Sequence, residues 1–122
     1  MKVAVSAEGI GLDSAVDARF GRAAYFLVVD TETMDFECIG NDALSAPGGA
    51  GINAAKAVAD SGAKAVLTGN CGPNAARTLA AAGVKLYAGV SGTVKDAIEA
   101  LKSGQLAESG GPTVDSHFGT GS

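Results

Sequence analysis

A chain of 122 residues, 47% of them hydrophobic, has the length of one domain and enough apolar content to bury a core without covalent staples. Its net charge of −4, with four Phe, two Tyr and no Trp, argues against nucleic acid as a partner, which asks for a basic surface and stacking aromatics. Two cysteines and one histidine rule out a structural zinc site and a disulfide framework, and no apolar run approaches the roughly 18 to 20 residues of a membrane span.

The chain begins MKVAVSAEG, a strand pattern with no cleavable leader, so a cytoplasmic protein with a small-molecule or protein partner is expected. KVAVSA (2 to 7) is a β-branched run. AYFLVVD (24 to 30) and FECIG (36 to 40), separated by a polar turn, predict a hairpin. Cys38 alternates with Phe36 in the second of these and is expected in the core.

From Gly51 the pattern alternates helix and strand: helix 51 to 61, strand 64 to 69, helix 73 to 82, strand 84 to 89, helix 93 to 103. That rhythm predicts parallel strands joined by right-handed crossovers, hence an α/β fold. Pro73 suits a first helical position, and Gly62, Gly83 and Gly104 suit helix ends. Thr93 with Asp96 reads as a capping box with Asp in place of Glu. Val94, Ala97, Ile98 and Leu101 form one apolar stripe and belong to the core, whereas the first two helices are mostly alanine and can approach the sheet closely.

Residues 1 to 106 are read as the single domain, and 107 to 122 as a flexible tail rich in Gly and Ser. The tail contains VDSHFG (114 to 119), an echo of VDARFG (16 to 21), and carries the lone histidine, His117.

Parallel strands ending at Ala7, Gly69 and Gly89 would gather the 8 to 22 loop, the turn Gly69-Asn70-Cys71-Gly72-Pro73 and Val90 to Gly92 at one sheet edge, where open α/β folds bind ligands. In the first loop Arg19 and Arg22 flank Phe20 and Gly21. Planar, weakly hydrated guanidinium groups suit an anion of diffuse charge, but the two arginines could equally pair with Asp17 and Asp13 while Phe20 plugs the sheet. The turn runs into a helix at Pro73, so the free N–H groups around Gly72 and Asn74 would also welcome an anion. That field would favour a thiolate at Cys71, which stays open as nucleophile, ligand or small buried thiol; no base stands near it in sequence. The stretch Pro47 to Asn53 could cradle phosphate but lacks both Gly-x-Gly-x-x-Gly and a P-loop lysine, and reads as a bend over the sheet edge.

Together, KVAVSA, the Asp17-x-Arg19-Phe20-Gly21-Arg22-Ala23-x-x-Phe26 run, Gly49-x-Gly51-Ile52-x-Ala54 and Thr68-Gly69-x-x-Gly72-x-x-Ala75 resemble the dinitrogenase iron-molybdenum cofactor biosynthesis family over about residues 1 to 106. The resemblance implies a three-layer ribonuclease H-like fold: a five-stranded mixed sheet of order 3-2-1-4-5, strand 2 antiparallel, with helices on both faces. It implies a non-catalytic binder or carrier of a metal-sulfur cluster or precursor, within a branch that holds a molybdenum-copper sulfide cluster non-covalently. Proteins that deliver the cluster or signal with it would be partners. The cluster would be bound by Arg19, Phe20, Gly21, Arg22, Asn70, Cys71, Gly72 and Asn74. Many relatives have His at the position of Arg19, so metal contacts would fall to Cys71 and His117.

A sulfide cluster brings its own soft ligands and needs no set of cysteines. It needs convergent N–H donors and a few diffuse cations. The competing readings are a small nucleotide- or phosphate-binding protein or enzyme, for which Glu8, Asp13 and Asp17 are the nearby acids, and a regulator that binds only proteins.

Overall fold

The computed structural model describes residues 1–40 and 50–109. In chain order these form β1 (Lys2–Ala7), β2 (Tyr25–Asp30), β3 (Phe36–Gly40), α1 (Ala50–Asp60), β4 (Ala65–Leu67), α2 (Pro73–Ala81), β5 (Lys85–Tyr87) and α3 (Val94–Lys102). One sheet of order β3-β2-β1-β4-β5 contains all five strands. β2 is antiparallel to both neighbours, whereas β1, β4 and β5 are parallel, as the ribonuclease H-like fold requires.

Period-two alternation divides the sheet between two cores. Ala4, Phe26, Val28, Val66 and Leu86 face α1 and α2, which contribute Ala54, Ala55 and Val58, and Ala75, Ala76 and Leu79. Val3, Val5, Leu27, Val29 and Leu67 face the other way, toward Val94, Ala97 and Ile98 of α3, with Leu101 packed at the margin. Small residues let α1 and α2 meet closely at their beginnings: a Cβ added to Gly51 would sit 3.4 Å from Ala75 Cβ. The Thr93 hydroxyl accepts from Asp96 N at 3.1 Å, so the expected cap starts α3.

β4 and β5 each hold three residues, where six were expected. Hydrogen bonding continues past their ends all the same, with Thr68 N donating to Tyr87 O at 3.0 Å and Gly89 N to Gly69 O at 2.8 Å. Beyond α3 the chain follows the free side of β5, where Ser109 N donates to Leu86 O at 2.7 Å.

The core position expected for Cys38 is corrected: its side chain is exposed. It does share a face with Leu27, its partner across the ladder. But β3 is the outermost strand, and only Ile39, on the opposite face, packs against a core cluster.

Candidate functional site

Backbone hydrogen bonds lash the long loop after β1 to the ends of its neighbours. Asp17 N donates to Ser6 O at 2.8 Å, Val16 N to Gly92 O at 2.8 Å, and Val94 N to Ser14 O at 2.9 Å. Further along, Asn70 N donates to Ala18 O at 2.7 Å and Phe20 N to Asn70 O at 3.0 Å. The backbones touch so closely that a Cβ at Gly69 would lie 2.7 Å from Ala18 Cα; only glycine fits. Beneath this junction Ser6 Oγ lies 2.7 Å from both Asp17 O and Thr68 Oγ1, and Ser6 and Thr68 are fully buried. The three segments expected at the sheet edge are therefore one hydrogen-bonded unit.

Phe20 turns inward from the loop. It is 1% exposed, with its ring centroid 5.1 Å from that of Phe26, so it anchors the loop rather than lining a pocket. Arg19 stays at the surface with its Nε 3.8 Å from Asp17 Oδ1, and its backbone N–H donates to the same carboxylate at 3.0 Å. Arg22 is exposed, and among the described residues no carboxylate pairs with it.

Arg22 and Gly21 form one wall of a cleft of about 340 Å³. Gly51 and Ile52 of α1 and the run Gly72, Pro73, Asn74 and Ala75 at the start of α2 supply the rest. Gly72 is the N-cap of α2 and makes no side-chain cap bond; neither α1 nor α2 carries an acid in its first turn. First-turn N–H groups have no intrahelical acceptor, and no acidic residue within either first turn offsets the positive ends of the two helix dipoles. Arg77 Nη2 donates to Asn74 Oδ1 at 2.7 Å, which adds a second guanidinium beside the first turn of α2. Among the described residues a Cβ at Gly72 would meet nothing within 4 Å, so that position opens onto the cleft. The cleft is a concave surface of donors and positive potential, suited to an anion.

Cys71 lies under this cleft rather than in it. It is 1% exposed within the cluster shared by α1 and α2, and burial pushes its thiol up to about 11. The thiolate expected from the helix field does not form at neutral pH, because desolvation in the core outweighs the dipole. Of the expected site residues, Gly21, Arg22, Gly72 and Asn74 meet at the cleft. Arg19 and Asn70 bridge to each other beside it, whereas Phe20 and Cys71 support it from the core. His117 and the echoed segment lie outside the described residues, as do Pro47, Gly48 and Gly49 of the glycine stretch. Among the described residues no three His, Cys, Asp or Glu side chains group to hold a metal ion, and no helix is long and apolar enough to cross a membrane.

Gly51 and Ile52, read from the sequence as part of a bend, were the missed half of the cleft. The topology contains the signal for them. Because β2 runs antiparallel, β3 is parallel to β1, and the helix after β3 must begin at the same sheet edge as α2.

The family model described as dinitrogenase iron-molybdenum cofactor matches residues 1–104. The chain belongs to that family. The fold is similar to that of the apo form of the orange protein from Desulfovibrio gigas, at 46% identity over 92% of this chain and 95% of that one, with a TM-score of 0.89. It is also similar to a NifB-type protein from Thermotoga, at 38% identity over 88% and 91% of the two chains, TM-score 0.76. A dinitrogenase-like protein from Methanocaldococcus jannaschii, 20% identical over 92% of this chain and 97% of that one, shares the fold with a TM-score of 0.69. Comparison with curated proteins gives no match. Membership connects the family's chain with metal-sulfur cofactor chemistry.

Proposed function

We propose that this protein is a non-catalytic carrier of a metal-sulfur cluster, and that its cargo is a molybdenum-copper sulfide anion held non-covalently in the cleft. One observation carries the reading: two helix first turns without acidic residues meet, at a single concave surface, an Arg22 that no carboxylate pairs with among the described residues. Such a surface offers N–H donors and diffuse positive charge. A polyanion already saturated with sulfide asks for little more. Likeness to the orange protein, 46% identical, supports the choice of guest.

In this reading Arg22 supplies the charge nearest the guest, Gly21 and Gly72 permit its close approach, and Asn74 and Ala75 present backbone donors. Arg19 and Asn70 hold the neighbouring loop, while Phe20 and Cys71 support it from below. Residues 1–106 form the cluster-binding unit and 107–122 its tail. The protein works in the cytoplasm, with other proteins delivering or receiving the cluster.

The test mixes purified protein with tetrathiomolybdate and a copper salt, followed by desalting. A coloured protein fraction that contains both metals is the expected result. A colourless, metal-free fraction would reject the carrier reading, and binding of a nucleoside phosphate by that same fraction would promote the phosphate-binding alternative.

A further inference from the structure

The outer edge of β3 carries a self-complementary pattern. Asp30 N donates to Asp35 O at 2.8 Å, in line with the β2–β3 register that pairs Val29 with Phe36 and Leu27 with Cys38. Bonded and non-bonded pairs alternate along an antiparallel ladder, so Glu37 and Ile39 direct their backbone groups toward β2. Phe36, Cys38 and Gly40 therefore direct theirs away from it, and among the described residues no strand receives them. The edge has neither lysine nor proline, and its one charged residue, Glu37, directs its backbone groups toward β2. Phe36 is 42% exposed, and Cys38 beside it is exposed as well.

We propose that β3 pairs with β3 of a second copy of this chain, antiparallel about a two-fold axis at Cys38, so that two sheets become one continuous sheet. In this register Phe36 faces the partner copy's residue 40, Cys38 faces its equivalent, and Glu37 faces the partner copy's residue 39. Every outward backbone group on the three even-numbered residues finds a partner. Among the described residues a Cβ at Gly40 would meet nothing within 4 Å, which leaves room for the aromatic ring. Charge selects the same register. A slip of two residues one way sets Glu37 against Glu37, which is unfavourable directly across strands, and a slip the other way takes Phe36 off the end of the partner strand. The symmetric arrangement is the closed, isologous kind that stops at a dimer.

Five residues per copy make a small interface, well below the roughly 1,200 Å² of stable complexes, so the dimer is weak, with a Kd on the order of 0.1 to 1 mM. Amide hydrogen exchange read by NMR on the full chain, at about 0.05 mM and about 1 mM, tests it around that Kd range. Exchange at Phe36, Cys38 and Gly40 should slow about two- to threefold at the higher concentration, while Glu37 and Ile39, already bonded to β2, should not change. Cys38→Pro should abolish the dependence, since proline is tolerated on an edge strand where its missing N–H faces outward. Gly40→Lys, filling the space required by the partner's ring, should do the same with the β2–β3 ladder intact, and serves if the proline variant loosens β3. Exchange independent of concentration at all five positions, or dependence that survives both substitutions, would overturn the proposal.

Discussion

Arg19 and Arg22 stand three positions apart in one loop and differ in their electrostatic company. Arg19 is near the Asp17 carboxylate, whereas Arg22 borders the cleft without one among the described residues. Arg22→Ala should therefore weaken binding of an anionic cluster roughly ten- to hundredfold, the worth of one charge-assisted contact, and Arg19→Ala should weaken it less. Titrations of the two variants side by side check this; equal losses would mean that the whole loop acts only through its net charge. The sequence marked this run as cationic, but the choice between the two arginines depends on the path of the loop around Phe20, which composition does not encode. Cys71 shows a similar boundary. Its place before a helix was legible, but the inward turn of its side chain was not. Its raised thiol makes a pH prediction: an unfolded cysteine ionises near about 8.5, the folded one at about 11. The folded state thus retains the proton longer, and the stability from Cys71 is complete below about pH 8.5, then declines as pH rises toward about 11, by at most about 1.4 kcal/mol per pH unit. Urea unfolding across that window should show a shallower decline of stability with pH in Cys71→Ala than in the native protein, the remainder including Cys38, whose thiol burial also pushes up.

Among the elements, the strand and helix order was legible because β-branched runs alternate with alanine-rich, glycine-ended helices. The reach of each element across the sheet was not. Alternation places Cys38 on the same face as Leu27, but it cannot tell that the helix layer stops short of β3. Shared burial is decided by neighbours distant in sequence. The connection after β4 was legible as a glycine turn, yet its tightness belongs to tertiary structure, where Gly69 meets the backbone of Ala18. Gly69→Ala should separate these segments and cost roughly 1 to 3 kcal/mol, the usual range for overpacking. The damage should appear first as faster amide exchange at Asn70 and Phe20, whose N–H groups span the junction. Thr93→Ala offers a calibrated comparison, since losing one N-cap at α3 should cost about 1 kcal/mol without touching the cleft. If both variants lose the same stability but only Gly69→Ala loses cluster binding, the junction positions the site as well as holding the fold.

At the scale of the whole molecule, one reversed strand determines where the cargo can sit. With β2 antiparallel, β1, β3, β4 and β5 all end at one edge, and α1 and α2 both begin there. The cleft joins the loop after β1 to the two helix beginnings, so it draws on segments far apart in the chain. A guest that binds across these segments favours only the folded protein, and linkage then requires it to raise stability. At a hundredfold excess over its Kd the gain is about 2.7 kcal/mol, which for a domain of this size raises the melting temperature by roughly 10 °C. Tetrathiomolybdate with copper should produce such a shift, and added salt should shrink it, because the attraction rests on exposed charge that ions screen. Arg22→Ala should reduce the shift while leaving the melting temperature of the empty protein nearly unchanged, since its side chain is exposed and makes no ion pair among the described residues. A shift of the same size at low and high salt, in both native and Arg22→Ala proteins, would place the guest away from this cleft.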